Sequence, residues 1–461
     1  MKMMTALALV LASAPAAYAA GPLNESFIQQ VGVHNNATVG QKHGNNNQAT
    51  SQAGQYNSVL SAQNGAKAGA TANNSANTQV GNDNTAAISQ KNGSNNQSTS
   101  QAGRANAVVT SQVSKLPTGL NNSGNVQVGD FNTAMTTQTN SAPNPLATSV
   151  NYANNSFSTQ AGTGNAVIAK QTVGQNNQDA NQAGTNNLAT ITQTDKAITP
   201  AAGPVVSGAN TSFTGQYGDS NIITTTQKTA DLNNGFSTGN GYGNASSSVQ
   251  YGTGNLATIK QNGSAKTADG VFNASATSQI GDSNVVSVKQ GGNTSGNFGA
   301  TTAAQAANDT NASSVSQAGT QNGANINQAN GGNTQATVQV GSSNTATIKQ
   351  ATQTFGTGNG NNNAATQQAG ASNKAIVNQA MAVPLAVGDN NSFINQVGGS
   401  NVVNAAQTTG LQASAGNNTQ ATIQVGTGNI ATIAQATGAN VTNASYTAQY
   451  GSHNVAVVSQ K

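Results

Sequence analysis

Amide side chains recur in this chain at spacings that never change, and amides so placed do hydrogen-bonding chemistry rather than catalysis. One Gln per unit serves as an anchor: Gln30, Gln52, Gln79, Gln101, Gln127, Gln160, Gln182, Gln216, Gln250, Gln279, Gln317, Gln339, Gln368, Gln396, Gln424 and Gln449, sixteen in all. Every anchor has Asn six residues before it, Gly two after, Asn five after and a second Gln eleven after. A primary amide carries two N–H donors and one carbonyl acceptor. A buried amide without partners costs about 1–3 kcal/mol, but amides stacked one layer apart bond to one another in a row and satisfy every member. The expected ladder holds Asn24, Gln30, Asn35 and Gln41 in the first unit and Gln127, Asn132 and Gln138 in the fifth. Toward the other end it holds Gln424, Asn429 and Gln435, then Gln449, Asn454 and Gln460.

Residues suited to covalent or acid–base work are sparse. Glu25 is the only Glu, the Asp residues are dispersed, and the three His are His34, His43 and His453. No two carboxylates are paired for acid–base catalysis, no Ser/His/Asp set is suggested, and no His or carboxylate pair has metal-ligand spacing. Gly-rich stretches such as Gly356-Thr357-Gly358-Asn359-Gly360 lack the Lys and following helix of a phosphate loop. The reading is therefore of a non-enzyme with no cofactor and no metal. His34 and His453 occupy the same place, four residues after the anchor, in the first and last units. If two molecules met end to end these imidazoles would be neighbours and their charging would weaken the junction in mild acid, with coincidence of position as the alternative.

The elements that position the amides follow from their alternation. In each seven-residue arm, such as Asn121 to Gln127 or Asn132 to Gln138, the distinctive residues fall at every second position, the period of a strand. The third inward place of the second arms is mostly branched (Val39, Ile88, Ile191, Ile259, Val288, Ile348), which suits a pleated sheet. Between the arms lie four residues, for example Val128-Gly129-Asp130-Phe131, and this length is constant. Gly32, Gly129, Gly281, Gly426 and Gly451 are the fixed glycines of such turns, where a backbone angle unfavourable to other residues is expected. Connections between units run from four residues (42–45) to twenty (291–310). The fold expected is all-β: a β-solenoid of sixteen stacked strand-turn-strand units, its two parallel in-register sheets facing each other, with variable loops on one edge. At ~4.8 Å per layer the rod would be roughly 75 Å long.

Composition fits. Charged residues are 6% of 461, where a soluble globular domain has about 25%, and aromatics are 4% with no Trp. Low charge with abundant Asn and Gln is the composition of cross-β assemblies. A net charge of +4 with scattered Lys and Arg does not indicate a nucleic-acid partner. Residues 1–19 read as a secretory signal peptide: Lys2, an apolar run from Thr5 to Ala12, and Ala17-Tyr18-Ala19 for cleavage. Residues 20–23 form a short spacer, and residues 24–460 hold the repeats. No later stretch is apolar enough to span a membrane, so the product is expected outside the cell.

The pattern Gln-x-Gly-x-x-Asn-x-Ala-x-x-x-Gln, with Ser or Gln four before the anchor, resembles the curlin repeat of bacterial curli fibre subunits. The resemblance covers Asn24 to Gln460. It implies a subunit of an extracellular functional-amyloid fibre of the biofilm matrix, with a surface nucleator and curli-type export machinery as partners besides copies of itself. This chain has more repeats than such subunits typically carry, and only Ala20 to Leu23 where they usually have a longer secretion segment. Both ends of the repeat array present an ordinary unit with no capping segment, so stacking is expected to continue head to tail between molecules. Asp83, Asp130, Asp219 and Asp282 sit in the turns, and Lys170, Lys260, Lys289 and Lys349 point outward just before the second Gln. Charge there would oppose premature pairing, so the Asp residues are candidate gatekeepers, with plain solubilisation as the alternative. The competing reading of the whole chain is a surface-attached solenoid that does not polymerise and binds a surface, a glycan or ice.

Overall fold

The structure, a computed structural model, describes residues 24–65, 72–114, 120–140, 153–195, 209–230, 243–264, 272–291, 311–329, 332–352, 361–381, 388–409, 416–437 and 441–461. The expected signal peptide, the spacer and most of the longer connections lie outside the described residues.

Among the described residues, thirty-two strands form two sixteen-stranded parallel sheets, one from the first arms and one from the second arms. Each unit contributes one strand to each sheet, and the units follow chain order, so the chain is a β-solenoid of sixteen rungs. The register is exact in residue type. Asn121, Gln127 and Gly129 of the fifth rung pair with Asn154, Gln160 and Gly162 of the sixth. Gln138 of the second arm pairs with Gln112 below and Gln171 above. A slip of one residue would turn every inward side chain to solvent.

The core is the narrow space between the sheets. Its apolar part is a column of branched residues from the second arms, Ile259, Val288, Ile326, Ile348, Val377 and Ile433, all nearly inaccessible, with Val458 of the last rung packed against its end. Burying such a side chain stabilises by about 1.5–3 kcal/mol. Ala and Val at the neighbouring inward place (Ala257, Val286, Ala324, Ala375) keep the sheets close together.

The turn differs from the four residues expected. The first arm of the fifth rung runs from Leu120 to Asp130 and the second starts at Thr133, so only Phe131 and Asn132 lie outside the strands. The reason is the ladder. Val128, Gly129 and Asp130 continue in-register pairing with Ala161, Gly162 and Thr163. Reversal is achieved by two unusual backbone angles. Gly129 has φ 110° and Phe131 has φ 57°. The latter, left-handed position is not reserved for glycine: His34, Tyr56, Asp83, Gln321 and His453 all adopt it with φ 55–58°. The short connections between rungs use the same device at His43-Gly44, Asn92-Gly93 and Val173-Gly174.

Candidate functional site: amide ladders, arcs and outer face

Four amide columns run the length of the rod. The anchor Gln residues form one, each Nε2 donating to the Oε1 of the next rung, from Gln30 to Gln449, at 2.6–3.1 Å in all fifteen steps. The second-arm Gln residues form another, from Gln41 to Gln460, at 2.7–2.9 Å. Each anchor from Gln52 onward also ties the sheets together. Gln127 Nε2 donates to the carbonyl of Ala107 on the facing sheet, 3.1 Å away. That contact fixes which end of the amide is nitrogen, because an oxygen there would face an oxygen.

The Asn columns run the other way, although a single direction is expected from simple stacking. In the column that begins at Asn24, the upper residue donates Nδ2 to the Oδ1 of the lower one at 2.7–3.2 Å through all fifteen steps to Asn443. In the arc column from Asn35 to Asn454, each Oδ1 accepts the backbone N–H of the Asn above at 3.0–3.2 Å. Each arc Asn below the last rung also donates to the carbonyl of the turn Gly one rung up, as Asn132 does to Gly162 at 2.9 Å and Asn429 to Gly451 at 2.9 Å. The backbone N–H received by Oδ1 fixes this direction as firmly as the Gln carbonyl contact fixes the other. Two columns therefore donate toward the C-terminal end and two toward the N-terminal end, so their dipoles oppose.

The expected ladder residues all take their places. Gln127, Asn132, Gln138, Gln424, Asn429 and Gln435 are nearly inaccessible. Those of the terminal rungs are less covered: the strand Asn24–Val33 is exposed along its whole length, and Val455–Gln460 alternates between exposed and half-buried.

The turn Asp residues are drawn into the arcs. Asp130 Oδ1 accepts the N–H of Arg104 one rung below at 3.0 Å, Asp282 accepts that of Thr253 at 3.1 Å, and Asp219 accepts the hydroxyl of Thr185. Asp83 instead faces Arg104 at 3.8 Å in an exposed pair, a geometry of small energetic value. All four candidate gatekeepers thus contact a neighbouring rung, three of them through a hydrogen bond.

Asp179 was not singled out by the sequence reading. On the outer face of the first-arm sheet its in-register neighbours are Phe157 below and Phe213 above. Burial pushes its carboxyl up from the ordinary value, against the lowering effect of a hydrogen bond from Asn181. A raised folded value means the folded state binds the proton more tightly than the unfolded state. Stability then falls as pH rises from the ordinary carboxylate value through the raised one. Asp179→Asn is expected to stabilise the protein at neutral pH, and the gain should shrink to nothing once the solution is acidic enough to protonate Asp179. Denaturation of both proteins across pH 3–7 measures this.

Among the described residues no group of three or more His, Cys, Asp or Glu could hold a metal ion, and no helix is long and apolar enough to cross a membrane. The fold and its four columns define a class: a parallel two-sheet β-solenoid held by in-register amide ladders. No protein-family model matches the chain, and no curated protein matches it.

Proposed function

We propose that this chain is the structural subunit of an extracellular curli-like amyloid fibre, serving matrix and adhesion, that grows by head-to-tail stacking of solenoid rungs. The observation that carries the reading is the complementarity of the terminal rungs. Among the described residues, rungs one and sixteen each have a sheet neighbour on one side only. At the first rung, Gln30 and Gln41 spend their Nε2 groups on rung two, leaving Oε1 directed at an incoming rung. At the last, Gln449 and Gln460 have accepted through Oε1 and can donate outward. The Asn columns match in the reverse sense. A sixteenth rung placed under a first rung continues all four columns, whereas two like ends would bring donor to donor.

The curlin-like repeat supports the same reading and brings with it the nucleator and the export machinery as partners. His34 and His453, both at the left-handed arc position, would lie one rung apart across that junction.

The test is growth from seeds. Purified protein from residue 20 onward, monitored with an amyloid-binding dye, is expected to lag, then rise, and to lose its lag when sonicated fibres are added. A trace that stays flat for days at micromolar concentration, with and without seeds, rejects the fibre. One feature favours the alternative, a non-polymerising surface solenoid that binds a glycan. A shallow trough lies on the outer face of the first-arm sheet, floored by Ala49, Ala76, Ser98 and Gly124 and closed by the ring of Phe157. One wall is an outer amide row, Asn74 to Asn96 to Asn122, at 2.9 and 3.1 Å.

A further inference from the structure

The residue that follows each anchor is never polar. It is Val, Ala, Ile or Tyr in all sixteen units, while every other outward place carries polar residues in several rungs. Register puts these side chains in one column: Val31, Ala53, Val80, Ala102, Val128 and Ala161 pair in sequence. The column continues through Ala183, Tyr217, Tyr251 and Ile280. The larger members face solvent, with Val128 52%, Ile280 53% and Tyr251 46% exposed, and the rings of Tyr217 and Tyr251 stack at 4.8 Å. Strand geometry does not demand apolar residues there, since Ser, Thr, Asn and Gln occupy the outward place two residues earlier. A continuous exposed apolar strip marks a contact surface.

We propose that this strip is a lateral interface with a second copy of the chain, the two rods lying antiparallel with each rung n facing rung 16 − n. The order of side-chain sizes selects both occupant and register. Large and small residues alternate in rungs one to six, and again in rungs eleven to fourteen as Ala318, Val340, Ala369 and Val397. In the proposed register Ala53 faces Val397, Val80 faces Ala369, Ala102 faces Val340 and Val128 faces Ala318. Ala161 then meets Ile280, Ala183 meets Tyr251, and Tyr217 meets its own copy on the two-fold axis. Every small residue from rung two to rung seven is set against a large one, and the partner that supplies this complement is the same strip inverted.

The extent is sufficient. Fifteen rungs at ~4.8 Å and a strip about 10 Å wide offer roughly 700 Å² per rod, near the ~800 Å² per partner of a stable interface. Charge is compatible with the antiparallel arrangement. The outward column on the strip's other flank, two residues earlier, carries no charged residue in any rung. On the turn side, Asp83, Asp130 and Asp282 face turns that carry no charged residue. Only Asp219 meets its own copy. The contact does not depend on end-to-end growth and can fail or hold independently of the fibre reading.

The chain contains no Cys, so single cysteines report the register. A disulfide requires Cα atoms within about 7 Å, which distinguishes a facing rung from one two steps away. Tyr217→Cys is expected to give a covalent dimer on mild oxidation, and Val31→Cys alone is not. Ala183→Cys mixed with Tyr251→Cys should dimerise where neither does alone, which gives a second readout independent of Tyr217. Dimers from Val31→Cys as abundant as those from Tyr217→Cys would overturn the antiparallel register. The absence of cross-linking from both Tyr217→Cys and the mixed pair would overturn the interface.

Discussion

Gly129→Ala, like the same change at the other turn glycines, is expected to be severely damaging to the rod. A Cβ at Gly129 would lie 2.1 Å from the carbonyl oxygen of Gly162 one rung up, a backbone atom that cannot swing away. The residue also holds φ at 110°, a region that side chains resist. Backbone strain of about 1–3 kcal/mol and overpacking of about 1–3 kcal/mol combine to a loss near 4 kcal/mol. Gly323 supplies the control. It lies at the start of a second-arm strand with nothing within 4 Å of an added Cβ. Gly323→Ala should leave stability unchanged or raise it by about 0.4–1 kcal/mol through the unfolded chain. Denaturant unfolding of freshly prepared soluble protein compares the two; equal losses would refute the arc argument.

Gln127→Ala should cost about 3 kcal/mol or more, for a different reason. Gln127 accepts from Gln101 at 2.9 Å and donates to Gln160 at 2.8 Å and to Ala107 at 3.1 Å. Truncation strands a donor below, an acceptor above and a carbonyl on the facing sheet, each worth about 1–3 kcal/mol when left buried and unpaired, and relaxation recovers part of the sum. The damage should be local, because each rung of a solenoid contacts only its neighbours. Amide exchange should accelerate in rungs four to six and stay slow elsewhere. Gln460→Ala in the last rung, where the side chain is half-buried and its carbonyl contact to Ala444 is exposed, should cost well under half as much. Similar losses at both sites would show that the columns do not act as cooperative ladders.

Much of this architecture is legible in the sequence because stacking makes position equivalent to environment. Gln127 and Gln160 must be the same residue because they touch each other's counterparts, so fixed offsets reveal both the strands and the register. Three features are not legible. The left-handed arc position is held by Phe131 in one rung and Gln321 in another. The pairing on either side imposes the angle there even on such residues, so the small and polar residues that hold it in most other rungs leave only a weak signature. The extension of the first arm through Gly129 to Asp130 depends on the rung above continuing to pair, which spacing alone does not disclose. The opposed directions of the Gln and Asn columns arise because a Gln reaches the facing sheet while an arc Asn reaches the neighbouring turn. That difference of one methylene becomes meaningful only once both partners are placed. The apolar strip, by contrast, is present in the sequence as the residue after each anchor. It is easily passed over because it alternates between Val and Ala and lies beside far stronger polar signals.

The connecting edge has a consequence of its own. Gln30 and Gln52 are 22 residues apart along the chain and Gln279 and Gln317 are 38 apart, yet each pair closes the same bond, at 2.6 and 3.0 Å. The molecule thus counts distance in layers, not in residues, and lengthening a connection costs only about 0.6 kcal/mol per doubling. Foreign segments, even folded ones, grafted between residues 291 and 310 should ride on the rod without altering its pitch. Such an edge is a display rail, open to change in chain length while the opposite edge keeps the gauge.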